Sequence, residues 1–134
     1  MNRLPKPELL LVIALGGALG AIARYEIVKA VPVAASGMPW GTFLVNQTGA
    51  FVLGLFLTVL TASGARAALL RAFFAVGVLG AYMTFSTLAM ETVLLIKNDH
   101  AALGVVYLVS TVVTGLAVAL LGVACGRLVW AGRR

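Results

Sequence analysis

The sequence predicts an all-α membrane domain of four spanning helices, with the third helix broken near its middle. Three observations predict it. Apolar residues make up 62% of the 134 residues and charged residues only 10%, where soluble domains hold about 45–50% and about 25%. The apolar residues fall in four runs, each reaching the roughly 20 residues that a spanning helix needs. Within the third run, residues 77–88 read Gly-Val-Leu-Gly-Ala-Tyr-Met-Thr-Phe-Ser-Thr-Leu. Two glycines and a Thr-Phe-Ser-Thr run do not suit a plain hydrocarbon helix. Irregular backbone survives at depth only when buried in protein or lining a wet cavity, and such interruptions are where ion and substrate sites lie.

The elements follow in order, as one four-helix domain over residues 1–134. The first span covers about 9–31 and ends at a loop from Pro32 to Pro39 that holds Ser36-Gly37. It is expected to persist as a helix rather than be cleaved as a signal peptide, because it is long and carries Arg24. The second span covers about 42–61 and ends at Ala62-Ser63-Gly64-Ala65-Arg66. The third covers about 67–96, longer than a crossing requires, as a helix broken in its middle would be. Lys97-Asn98-Asp99-His100 is a tight polar turn, and the fourth span covers about 101–130.

The net charge of +6 comes from basic residues at segment ends, which suits anionic headgroups rather than nucleic acid. Arg3, Lys6, Arg66, Arg71, Arg127, Arg133 and Arg134 fall on one side of a four-span chain, and Lys29 and Lys97 on the other. Seven against two predicts both termini in the cytoplasm of a multi-pass protein of the inner (plasma) membrane. Nothing points to an enzyme. The one histidine, His100, sits in a turn, and the one cysteine, Cys125, cannot form an intrachain disulfide. No metal-ligand cluster, paired carboxylates, phosphate loop or nucleophile elbow is present.

Polar residues inside the spans carry the functional signal. At helical spacing, Thr84, Thr87 and Glu91 share a face, as do Thr42, Asn46 and Gly49, and Tyr107, Ser110 and Thr114. Three such stripes on three helices suggest a common polar track. For Thr48 and Thr58 a bond to their own backbone is explanation enough. Asn46 is different, because a carboxamide brings several hydrogen-bonding positions that need partners or water. Glu91 is the only acid well inside a span, and two roles stay open for it: proton coupling, or bonding to a hydroxyl or vestibule. Arg24 can snorkel outward. Gly16/Gly20 and Gly122/Gly126 have the spacing of close helix contacts. Four helices enclose little pore by themselves, so association of two or more copies is expected.

Read together, the motifs resemble the Fluc (CrcB-type) fluoride channels. Gly17-Ala-Leu-Gly20-Ala21 precedes Arg24-Tyr25; Gly41-Thr42-Phe-Leu-Val-Asn46 precedes Gly49; Gly77-x-x-Gly80 precedes Thr84-Phe85-Ser86-Thr87 and Glu91. The resemblance covers three helices in order and is looser in the fourth, through Tyr107, Ser110 and Thr114. It implies a passive fluoride-selective channel built as an antiparallel dimer with dual topology. It further implies that Asn46 donates to the anion, that Phe85 turns its ring edge to it, and that Ser86, Thr87, Ser110 and Thr114 form a polar track. A structural sodium ion on the dimer axis would be held by backbone carbonyls, here at Gly80 and Met83.

The chain departs from the family pattern at three points. Leu88 stands where a second phenylalanine is usual, so one pore ring is expected to be missing. Gly80-Ala81 and Met83-Thr84 replace Gly-Gly and Thr-Thr. The charge bias is awkward for a chain that must insert both ways, so a homodimer and a heterodimer with an oppositely inserted paralogue both stay open. Two further alternatives are a proton-coupled exporter like the small multidrug-resistance proteins, with Glu91 as the essential acid, and a non-conducting partner subunit.

Overall fold

A computed structural model describes residues 7–31, 37–62 and 68–131 of the chain. The expectations for Arg3, Lys6, Arg66, Arg133 and Arg134, and for most of the two loops after the first and second spans, lie outside them. The described residues form helices joined by short non-helical stretches, and four helices are long and apolar enough to cross a membrane: Pro7–Ala30, Trp40–Leu60, Ala68–Lys97 and Ala101–Ala131. The chain is a multi-pass membrane protein.

Helix α1 (Pro7–Ala30) opens on Pro7, where a missing N–H costs nothing, and stops just before Pro32 in the sequence, which cannot continue a helix. Helix α2 (Trp40–Ala62) starts after Pro39, whose carbonyl accepts from Phe43 N at 3.1 Å. The third span is built from α3 (Ala68–Arg71), a π-helical stretch (Ala72–Val78), α4 (Leu79–Tyr82) and α5 (Phe85–Lys97). Between α4 and α5, Met83 (ψ 154°) and Thr84 (φ −147°, ψ 120°) are extended. The sequence leads one to expect a break here; the backbone does leave the helix for these two residues, yet the span as a whole bends by only 12°. A turn follows α5, with Asp99 in the left-handed region at φ 62°, a conformation aspartate tolerates. Helix α6 (Ala101–Ala131) completes the fold.

Helix α2 packs along α6, α1 packs along the π-helical stretch and α4, and α5 packs on α6. Glycine permits the α1 contact. A Cβ at Gly20 would overlap the Val78 carbonyl, and one at Gly77 would lie 2.8 Å from Ile13 O. The backbones therefore touch, as small residues allow in membranes. Arg71 ties the start of the third span to α2 by donating to Leu60 O at 3.0 Å. At the other end Met38, Leu88 and Tyr107 form a buried apolar cluster. Long outer faces, such as Leu116, Leu120 and Leu128 on α6, stay exposed, as expected where the surrounding medium is hydrocarbon.

Candidate functional site: the interruption in the third span

Asn46 sits on α2 opposite the two extended residues. Its Nδ2 donates to Thr84 O at 3.1 Å, and its Oδ1 accepts from Thr84 N at 2.9 Å. In an unbroken helix Thr84 N–H would serve the carbonyl of Gly80. One turn on, Thr87 N–H would serve Met83 O, but it donates to Thr84 Oγ1 at 3.1 Å instead. Thr84 is thus the N-cap of α5. The two diverted donors leave the carbonyls of Gly80 and Met83 without their usual helical partners.

The hydroxyls of the run cluster around this point. Thr84 Oγ1 donates to Thr87 Oγ1 at 2.9 Å and lies 3.3 Å from Ser86 Oγ. Phe85 is 74% exposed, whereas Leu88, three residues on, is 3% exposed and packs in the core. Asn46, Met83, Thr84, Phe85 and Leu88 line a groove of about 540 Å³ together with Thr111 and Gly115 of α6. The side chain of Met83 lies over Gly49, where a Cβ would collide with it. Arg24, Tyr25, Lys29 and Thr42 line a second hollow of about 360 Å³ together with Thr84 and Thr87. Lys29 Nζ lies 5.5 Å from the centre of the Tyr25 ring. Thr84 lines both hollows.

Glu91 lies further along α5, with both oxygens bonded. Thr42 donates to Oε1 at 2.9 Å and Tyr107 to Oε2 at 2.7 Å. Of the two roles open for Glu91, the geometry favours bonding to hydroxyls. Ser110 and Thr114 are not brought to the Asn46 cluster by hydrogen bonds. Ser110 donates to Tyr107 O at 3.1 Å and Thr114 to Ser110 O at 2.6 Å. They behave as Thr48 and Thr58 do, which donate to Leu44 O and Gly54 O at 2.8 Å. Asn46-Gln47-Thr48 is legible in the sequence as a polar set within the second span, but the cap at Thr84, the Tyr82–Thr48 hydroxyl pair at 2.9 Å and the partner of Gln47, whose Nε2 donates to Thr111 O at 3.1 Å, are not. Polar residues within apolar spans were the available signal; their partners were not. Among the described residues no group of three or more His, Cys, Asp or Glu gathers to bind a metal.

The fold and site define a small multi-pass membrane protein whose polar groups converge on an interruption in one span, in the manner of a solute pathway. The CrcB-like family, described as "CrcB-like protein, Camphor Resistance (CrcB)", matches residues 11–123. The chain belongs to this family. It is 46% identical over 125 residues to "Fluoride-specific ion channel FluC" of Methanopyrus kandleri, covering 92% of this chain and 93% of that one. Against "Fluoride-specific ion channel FluC 2" of Nocardia farcinica it is 40% identical over 125 residues, 93% and 88% of the two chains. Against "Fluoride-specific ion channel FluC" of Thermus thermophilus it is 40% identical over 120 residues, 89% and 95%.

Proposed function

We propose that this protein is a fluoride-selective channel through which fluoride leaves the cytoplasm passively, and not an enzyme. The family and the names of its relatives support the substrate. The structural observation that carries the reading is the paired bonding of Asn46 to Thr84. It fixes a carboxamide beside the exposed ring of Phe85 in one groove. One amide hydrogen of Asn46 remains for an anion, and the positive edge of an aromatic ring suits one too. Neutral donors replace part of the anion's hydration without holding it as a fixed cation would. Ser86, Thr87, Ser110 and Thr114 extend the track. Ser110 and Thr114 give their hydrogens to backbone carbonyls, so each must rotate to donate to fluoride.

The working unit in this reading is an antiparallel dimer, since the exposed Phe85 has no partner surface within one copy. The second subunit is another copy of this chain or a paralogue of opposite orientation; the seven-to-two charge bias favours the paralogue. A structural sodium ion fits the carbonyls of Gly80 and Met83, because their helical donors are diverted to Asn46 and Thr84. When bound, it supplies positive potential and satisfies backbone oxygens at depth. The reading is tested with potassium-loaded vesicles carrying the protein alone and with a co-purified paralogue. Valinomycin should permit fluoride loss without chloride loss. Comparable chloride flux, or a requirement for a proton gradient, would overturn the channel reading in favour of coupled export.

A further inference from the structure

The turn of α6 from Tyr107 to Thr114 has side-chain donors on several of its carbonyls. Ser110 and Thr111 both donate to Tyr107 O, at 3.1 and 2.7 Å, and Thr114 donates to Ser110 O at 2.6 Å. One carbonyl of this turn is claimed from another helix: Gln47 Nε2 of α2 reaches Thr111 O at 3.1 Å. Gln47 is only 9% exposed, and its Oε1 has no hydrogen-bond partner among the described residues. Turning the amide over would set two acceptors against each other at Thr111, so the orientation is fixed and the unmet acceptor comes with it. A buried acceptor without a partner is destabilising, and an apolar residue of the same shape avoids that cost. The glutamine therefore calls for a reason other than stability.

The bonding pattern offers one. Gln47 and Thr42 both lie on α2. Gln47 holds Thr111, Thr111 Oγ1 holds the Tyr107 carbonyl, Tyr107 Oη holds Glu91, and Thr42 holds the other oxygen of Glu91. The chain of bonds leaves α2, crosses α6 and α5, and returns to α2. Gln47 is its fastening to the stretch of α6 that carries Ser110 and Thr114. Gly115, one turn beyond Thr111, faces the amide: a Cβ there would sit 3.8 Å from both its polar atoms, an ordinary contact.

We infer that Gln47 is a positioning residue for conduction. It sets the register of the Tyr107–Thr114 turn against α2, and hence the placement of the Ser110 and Thr114 hydroxyls, without touching the anion. The inference rests on the reading of those two hydroxyls as part of the pathway. The test compares Gln47→Leu, Gln47→Met and the double variant Ser110→Ala/Thr114→Val with the parent, each as purified dimer in vesicles. In the two Gln47 variants maximal fluoride flux should fall by about fivefold or more, the effect of one net hydrogen bond in a barrier. The fluoride concentration giving half-maximal flux should not change, and the melting temperature should be equal or higher. If the double variant loses flux while the Gln47 variants conduct fully, the positioning role is wrong and the pathway reading stands. A lowered melting temperature accompanying lost flux would reduce Gln47 to an ordinary structural residue and also overturn the inference. If the double variant conducts like the parent, the pathway reading of the hydroxyls fails, whatever the Gln47 variants do.

Discussion

Asn46 and Thr84 exchange two hydrogen bonds across 38 residues of sequence, carboxamide to backbone in both directions. The exchange replaces the helical bond of the Thr84 N–H in a span that bends by only 12°. Asn46 thus has two tasks: holding the interruption and facing the groove. Asn46→Ala leaves the Thr84 N–H without its partner, a loss of about 1–3 kcal/mol, while Thr84 O, as the carbonyl of an N-cap, keeps the first bond of α5. Asn46→Asp keeps the acceptor for Thr84 N–H but sets oxygen against Thr84 O and, when ionised, adds negative charge beside an anion. Fluoride flux should fall roughly ten- to a hundredfold in either variant, and further in Asn46→Asp than in Asn46→Ala. Parent-like flux from Asn46→Asp would remove Asn46 from the pathway.

Phe85 and Leu88 should separate function from stability. Phe85 is exposed within one copy, and Leu88 is buried against Met38 and Tyr107. Phe85→Ile should leave the melting temperature of the solubilised chain nearly unchanged and abolish most fluoride flux. Leu88→Ala opens a cavity and should cost about 2–5 kcal/mol. Leu88→Phe overfills the same space, at about 1–3 kcal/mol. The expectation that Leu88 merely deletes a pore ring therefore needs a physical addition, because a phenylalanine placed there must first be packed. Melting curves and vesicle flux on the three variants check the contrast.

Thr84 should be sensitive to loss of its hydroxyl and tolerant of loss of its methyl group. Its Oγ1 caps α5 by accepting from Thr87 N and also donates to Thr87 Oγ1. Thr84→Val removes the cap, a loss of about 0.5–2 kcal/mol. It also frees Thr87 N–H, which can return to the Met83 carbonyl only as Met83 and Thr84 turn from extended to helical. Thr84→Ser keeps both bonds. Sodium dependence should follow the same split: replacing sodium by a large organic cation should weaken the dimer in the parent and in Thr84→Ser, and have less effect in Thr84→Val. Equal sodium dependence in all three would remove Met83 O from the proposed ion site.

The four spans were legible because apolar runs of this length admit few readings, and the helices differ from the expected bounds by a residue or two. The polar residues were legible as residues but not as partners. Glu91 meets Tyr107 from 16 residues away and Thr42 from 49, separations that only packing determines. The stripe reading placed Thr84 on a helical face with Thr87 and Glu91, whereas Thr84 is extended and acts as a cap. Ser110 and Thr114 looked like track residues and behave locally like Thr48 and Thr58, since a hydroxyl in an apolar helix turns to the nearest carbonyl. The π-helical stretch at Ala72–Val78 had no sequence signal, as it arises where α1 and the third span meet backbone to backbone.

Orientation provides the last test. With Arg24 within the first span left aside, the sequence expectation of four spans divides the other nine basic residues seven to two between the two sides of the membrane, and such a bias ordinarily selects one orientation. An antiparallel dimer needs both orientations in equal number. The charge rule therefore leads us to expect that this chain, expressed alone, inserts mostly with its termini in the cytoplasm and conducts fluoride weakly. Co-expression with a paralogue of opposite bias should restore full flux without changing the orientation of this chain. A reporter fused after Arg134, active on one side of the membrane only, measures the first quantity, and fluoride efflux from the same cells measures the second. Moving the bias should move the outcome: Arg3→Gln, Lys6→Gln and Arg66→Gln together should raise the inverted fraction and the flux of the chain expressed alone. An even split of the parent reporter with full flux from this chain alone would establish a homodimer and overturn the paralogue reading.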